Sequence, residues 1–171
     1  VTWLCMALCY HSIVFEKSFL AKIGSRKEDF VDDKTLDSLF GKLRYLHESQ
    51  PAHLMPAIPK RDLGRHMQLK NPLTGGEIIG EAPDEGFSRR GRRTIIVLAE
   101  FAHLTPRLQA AIWLSTESVA RSMWIPSTPN GKANKFYELY ETLPSKSISP
   151  VFQSTCCTDS WLSKSIVKMP P

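Results

Sequence analysis

Apolar positions along this chain follow two spacings that alternate from segment to segment. Val1 to Phe15 is almost uniformly apolar, broken by His11, and predicts a buried helix; it is shorter than the ~20 residues a membrane span needs. Ser18 to Gly24 predicts a short strand whose exit carries the polar run Ser25-Arg26-Lys27-Glu28-Asp29. Asp32 or Asp33 is expected to cap the next helix, in which Leu36, Leu39, Phe40, Leu43 and Leu46 recur at helical spacing until Pro51. That stripe reads as core. Pro51, Pro56 and Pro59 predict a loop over 51–66. A hairpin follows, with Met67 to Leu69 and Glu77 to Glu81 on either side of a Gly75-Gly76 turn.

Downstream, the loop Ala82 to Arg93 leads into a strand at Thr94 to Leu98, and Thr105-Pro106 supplies an N-cap and a first-turn proline for a helix ending near Ser118. Arg121 to Ile125 is the next strand, and Asn130-Gly131 turns the chain toward a helix over Asn134 to Thr142. Alternating strands and helices predict an α/β fold, a mainly parallel sheet flanked by helices. Ser145 to Pro171 mixes Ser, Lys and Pro with Cys156-Cys157 and Trp161, so the chain divides into one domain over 1–143 and an irregular tail over 144–171.

Composition changes this picture little. Apolar residues at 42% and charged residues at 23% suit a globular core and argue against disorder. A net charge of +5 and a pI near 9.1 suit a polyanionic partner such as nucleic acid, and equally suit plain solubility. Cys5 and Cys9 lie four apart and Cys156 and Cys157 are adjacent, which is not C-x-x-C spacing; buried thiols in a reducing compartment are expected.

Candidate chemistry gathers at strand exits. The strand at 94–98 ends in Ala99-Glu100-Phe101-Ala102, and the next apolar strand ends in Ser127-Thr128-Pro129-Asn130-Gly131. A parallel sheet binds ligands at the carboxyl ends of its strands, so Glu100 and the two hydroxyls are expected to converge on one phosphate. An ATPase of this design has two adjacent acids, and the first position here is Ala99. Arg89, Arg90, Arg92 and Arg93 form the densest basic cluster. A competing site, a metal-dependent nuclease built on Glu77, Glu81, Asp84 and Glu85, sits in a stretch where Pro83 and Gly86 favour a solvated loop.

In order, these motifs resemble the ATPase domain of large terminase subunits, the DNA-packaging motors of tailed bacteriophages. The likeness runs from Val1 to about Leu143. It rests on Val1-Thr2-Trp3, similar to the tail of the phosphate-loop motif, on Gly24 to Asp29 with Val31-Asp32, on Arg90-Gly91-Arg92-Arg93, on Ala99 to Ala102, and on Ser127 to Gly131 with Asn134, Phe136 and Tyr137. The resemblance implies a partial P-loop NTPase-like fold with the first strand and phosphate loop missing, which would expose a central sheet edge. It implies ATP and Mg²⁺ as cofactors, Glu100 as the water-orienting glutamate, Ser127 and Thr128 as the coupling motif, and Arg92 as a phosphate-contacting arginine toward ATP or DNA. It further implies viral double-stranded DNA, a terminase small subunit and a portal protein as partners, a homo-oligomeric ring, no membrane, and the cytoplasm of a bacterial host. Ala99 stands where the family holds Mg²⁺ through an aspartate, so a fragment inactive by itself is expected. Alternatives are a non-catalytic nucleic-acid-binding or assembly remnant and the metal-dependent nuclease.

Overall fold

Six strands form one sheet in the order β2-β3-β1-β4-β5-β6 in the computed structural model, which describes residues 1–51, 53, 58–84, 86–87, 91–142 and 164–168. The strands are β1 (Leu20–Gly24), β2 (Gln68–Asn71), β3 (Gly76–Glu81), β4 (Arg93–Leu98), β5 (Ala120–Ser127) and β6 (Lys164–Lys168). The helices are α1 (Thr2–Phe15), α2 (Glu28–Asp32), α3 (Leu39–Glu48), α4 (Lys60–Leu63), α5 (Pro106–Glu117) and α6 (Lys135–Thr142), with a 3-10 turn at Phe101–His103. The four central strands, β3-β1-β4-β5, are parallel, and β2 and β6 pair antiparallel at the two edges. The fold is α/β, with helices on both faces of a mostly parallel sheet.

Alternation along β4 explains the two faces, because successive side chains point to opposite sides of a strand. Val97 and Ala99 join a core with α1, α2 and α3, while Ile96 and Leu98 join a second core with α5 and α6. Both faces must be apolar for a covered parallel sheet, which is why the strand reads as a continuous apolar run.

The predicted strands and the hairpin form as expected, and Thr105 caps α5 by accepting a hydrogen bond from the Leu108 N–H. Three expectations need correction. The helix read from Asp32 begins only at Leu39 and is capped by Ser38; Leu36 falls outside it and is 49% exposed. Asp32 is not a cap because it is buried and accepts both guanidinium nitrogens of Arg44 at 2.7 Å. The loop assigned to 51–66 holds the short helix α4. Within the stretch read as an irregular tail, β6 pairs with β5 over five residues, so the outer edge of β5 is covered rather than open. Cys156, Cys157 and Trp161 lie outside the described residues.

Helix α1 buries Cys5, Met6, Cys9, Tyr10 and Ile13 but leaves Trp3, Leu8 and Phe15 exposed. Burial pushes the Cys5 thiol up to about 11 and raises Cys9 as well, so both are protonated packing groups. Tyr10 meets His47 of α3 through a buried 3.0 Å hydrogen bond to Nδ1. Burial holds His47 below its ordinary value of 6.5. The folded chain therefore binds fewer protons there than the unfolded chain, and stability falls as pH drops below 6.5. Urea midpoints at pH 7.5 and 5 should show this loss, and His47→Gln should flatten it; an unchanged slope would remove His47 as its source.

Candidate functional site

The exits of β1 and β4 lie side by side, joined by the hydrogen bond from the Ala99 N–H to the Gly24 carbonyl at 2.8 Å. From these neighbouring ends the chain departs to opposite faces: after β1 toward α2 and α3, after β4 toward α5. Such a divergence opens a crevice at the carboxyl edge of a parallel sheet, the usual ligand position in open α/β folds. A cleft of about 460 Å³ lies there, with Trp3, Ser25, Arg26, Lys42, Ala99 and Glu100 among its lining residues.

Glu100 has a left-handed backbone, φ 60° and ψ 24°, uncommon for a non-glycine residue. Its N–H donates to the Pro126 carbonyl at 3.0 Å, tying the β4 exit to the β5 exit, and its carbonyl accepts from the His103 N–H at 3.0 Å. The side chain is 44% exposed. Ser18, Lys34 and Met67 share a positive φ, but Glu100 alone of the four lines the cleft. Glu100→Gly should leave stability unchanged or raise it by up to about 1 kcal/mol, because glycine adopts this conformation freely. A clear loss in thermal melting would mean that Glu100 holds the fold through its side chain.

The two hydroxyls at the β5 exit have different tasks. Ser127 is buried, accepts from the Ala102 N–H at 3.0 Å and donates to the Thr128 carbonyl at 3.2 Å, so it splices the two exits together. Thr128 is partly exposed and shares a 2.7 Å hydrogen bond with His103 Nε2, which also lies 3.8 Å from Glu100 Oε2. His103 thus stands between the acid and the hydroxyl, a placement the sequence reading missed although His103 follows Glu100 by three residues. Gln109 was missed as well. Fully buried, it donates to the Ala102 and Leu104 carbonyls at 3.3 and 2.8 Å and accepts from the Phe136 N–H at 3.3 Å, locking the turn after β4 against α6. Asn130 adds a 3.2 Å bond to the Ala102 carbonyl, and Asn134 caps α6 by accepting from the Tyr137 N–H at 2.9 Å.

Arg92 is not part of this cleft. It is exposed just before the amino end of β4, roughly 20 Å from the Leu98 end of the strand at ~3.3 Å per strand residue. Arg93 turns inward toward Glu77 at 3.9 Å, and its Nε is buried without a hydrogen-bond partner. Arg89 and Arg90 lie outside the described residues. Of the acids of the nuclease alternative, Glu77, Glu81 and Asp84 form no group that could hold a metal. Glu77 accepts from Gln68 at 2.7 Å, Glu81 pairs with the buried Lys22, and Asp84 accepts from the Gly86 N–H at 2.8 Å; Glu85 lies outside the described residues.

No protein-family model matches the chain, and no curated protein is significantly similar to it.

What the arrangement can do follows from its groups. Arg26 and Lys42 carry donors suited to phosphate oxygens, and Glu100 can accept a proton or orient a water. Lys42 is anchored by donating to the backbone carbonyls of Asp37 and Ser38, and burial draws it below the ordinary lysine value against the opposing pull of Asp37 and Asp33. The Mg²⁺ implied by the resemblance does not fit at position 99: Ala99 presents a methyl group, 5% exposed and packed into the core under α1. Among the described residues, no group of three or more His, Cys, Asp or Glu could hold a metal. Nor, among them, is any helix long and apolar enough to cross a membrane.

Proposed function

We propose that this chain is a fragment of the ATPase domain of a large terminase subunit, whose family role is ATP-driven packaging of viral DNA into a prohead, and that by itself it is inactive. The observation that carries the reading is the strained Glu100 at the switch-point crevice, beside a cleft that also holds Arg26 and Lys42. A carboxylate there suits orientation of a water toward a terminal phosphate, and the two cations suit binding of the phosphates. Thr128, linked to the acid through His103, is the better placed of the two hydroxyls to respond to events at Glu100; Ser127 is committed to backbone. Inactivity follows from Ala99, which has no oxygen to offer a metal. Double-stranded DNA, the small subunit, the portal, the ring and a bacterial host cytoplasm rest on the resemblance alone.

The test is ATP hydrolysis by a chain that carries a phosphate-binding loop ahead of α1. Ala99→Asp should raise Mg²⁺-dependent turnover, and adding Glu100→Gln should lower it by about 10²–10⁴-fold with nucleotide binding retained. No gain from Ala99→Asp, in a variant whose melting shows it folded, would sink the assignment of β4.

A second reading, a non-catalytic nucleic-acid-binding remnant, draws on Arg92, exposed and far from the cleft. It requires DNA affinity that falls with salt and drops on Arg92→Ala without change in nucleotide binding.

A further inference from the structure

We propose that the outer face of α1, extended by the tip of the β2-β3 hairpin, pairs with the same surface of a second copy of this chain in a weak two-fold dimer; the proposal is independent of the nucleotide reading above. From Thr2 to Phe15 the helix carries no Asp, Glu, Lys or Arg. A helix with one face in water normally places charge there, whereas one that is apolar all round is covered all round. Cys5, Met6, Cys9, Tyr10 and Ile13 face the core, but Leu8 and Phe15 are 43% and 65% exposed. Seven residues make nearly two turns, so both lie on one stripe. His11, also exposed, sits between them with its ring 4.7 Å from that of Phe15.

The hairpin tip lengthens the stripe. Asn71 Nδ2 and Thr74 Oγ1 donate to the Ile13 carbonyl at 3.0 and 2.8 Å, and the Ser18 N–H donates to the Thr74 carbonyl at 2.9 Å. Leu73, 73% exposed, is therefore fastened on both sides to the end of α1 that carries Phe15. A surface ordered in advance loses little freedom when a partner covers it. Leu8, Phe15 and Leu73 together expose apolar area on the order of 300 Å², comparable with the largest patch on an ordinary monomer. Doubled across a two-fold axis and given a rim, that makes an interface on the order of 1,000 Å², the lower limit for a specific contact, so the dissociation constant should be micromolar or weaker. The rim favours a second copy over other apolar partners. Glu16 and Lys17 are exposed directly after Phe15, and Ser12 Oγ holds the Glu16 carboxylate at the helix end by donating to Oε1 at 2.6 Å. In a two-fold contact each residue meets its counterpart reciprocally, so an axis beside Phe15 sets Glu16 of each copy against Lys17 of the other, and both pairs attract. Such a contact closes on itself and builds no ring.

The experiment is sedimentation velocity of the whole chain from low micromolar to near-millimolar concentration, with thermal melting of every variant to show that it is folded. Monomer should give way to dimer as concentration rises. Phe15→Glu and Leu73→Glu should each weaken the dimer by about tenfold or more. Leu114→Glu, at a 71% exposed position of α5 on the other side of the sheet, should leave it unchanged. Glu16→Lys and Lys17→Glu should each associate poorly alone and recover on mixing, because the mixture restores both charge pairs. A chain that stays monomeric throughout overturns the proposal, as does a dimer that neither Phe15→Glu nor Leu73→Glu weakens. Assembly beyond two copies, or no recovery on mixing, overturns the two-fold arrangement.

Discussion

Arg44→Met should destabilise the protein by about 3–5 kcal/mol, lowering the melting temperature by roughly 6–20 °C for a chain of this size. Asp32 has no exposed side-chain surface, and Arg44 grips both its carboxylate oxygens. The same carboxylate accepts from the Met67 N–H at 2.8 Å and the Lys34 N–H at 3.3 Å, while Arg44 also donates to the Leu63 carbonyl at 3.0 Å. One ion pair thus ties α2, α3 and the approach to β2 together. Removing the guanidinium leaves a buried charge with too few partners, which costs more than the pair contributes when intact. Asp32→Asn with Arg44→Met should be more stable than Arg44→Met alone, because a neutral amide still accepts from Met67 without an uncompensated charge. A double variant no better than the single would show that the loss comes from Arg44 packing.

The pair also sets an acid limit. Burial pushes the Asp32 carboxyl up, but the hydrogen bonds and charge of Arg44 and the Met67 N–H outweigh it, leaving Asp32 below its ordinary 3.8. Its contribution is complete above 3.8 and is lost as pH falls through the lowered folded value.

Gly41→Ala should cost about 3 kcal/mol, the upper end for overpacking a tight site. A Cβ at position 41 would sit 1.7 Å from the Thr35 carbonyl oxygen and 2.9 Å from Ser38 Oγ. Backbone, unlike a flexible side chain, has little room to yield. Ser38 caps α3 by accepting from the Gly41 N–H at 3.1 Å and donates to the Thr35 carbonyl at 2.9 Å, so displacing 35–38 breaks the cap. The same segment holds Lys42 through the Asp37 and Ser38 carbonyls. Gly41→Ala should therefore also weaken any phosphate binding in the cleft, measurable by titration with tripolyphosphate. An alanine variant that melts like the parent would mean that the turn relaxes more easily than its geometry suggests.

Most elements were legible because their signals are local. The β4 run with its abrupt polar exit, the Thr105-Pro106 start of α5 and the Gly75-Gly76 hairpin turn each depend on residues adjacent in sequence, and each appears where the pattern puts it. The start of α3 was misread because Asp32, a good capping residue by type, is claimed by Arg44 twelve residues away. Gly41 sits inside a helical apolar pattern, and nothing nearby announces that Thr35 folds back onto it. The stretch after residue 143 lacks a strand pattern strong enough to read, yet the open edge of β5 gives Lys164–Lys168 a partner.

The candidate site divides the same way. Residue type and order alone determined that a carboxylate, two hydroxyls and an alanine stand at two strand exits, and that alternating elements build an α/β sheet. Tertiary structure decided which of them meet. Parallel pairing puts the β1 exit with Arg26 beside Glu100 and brings in Trp3, Phe30 and Lys42 from three helices, while the length of β4 sends Arg92 to the far end of the sheet. Buried hydrogen bonding turned Ser127 into a splice and set His103 between Glu100 and Thr128. The physical reason is range: strand and cap preferences act over a few residues, whereas register, crossover direction and burial are set by contacts between segments tens of residues apart.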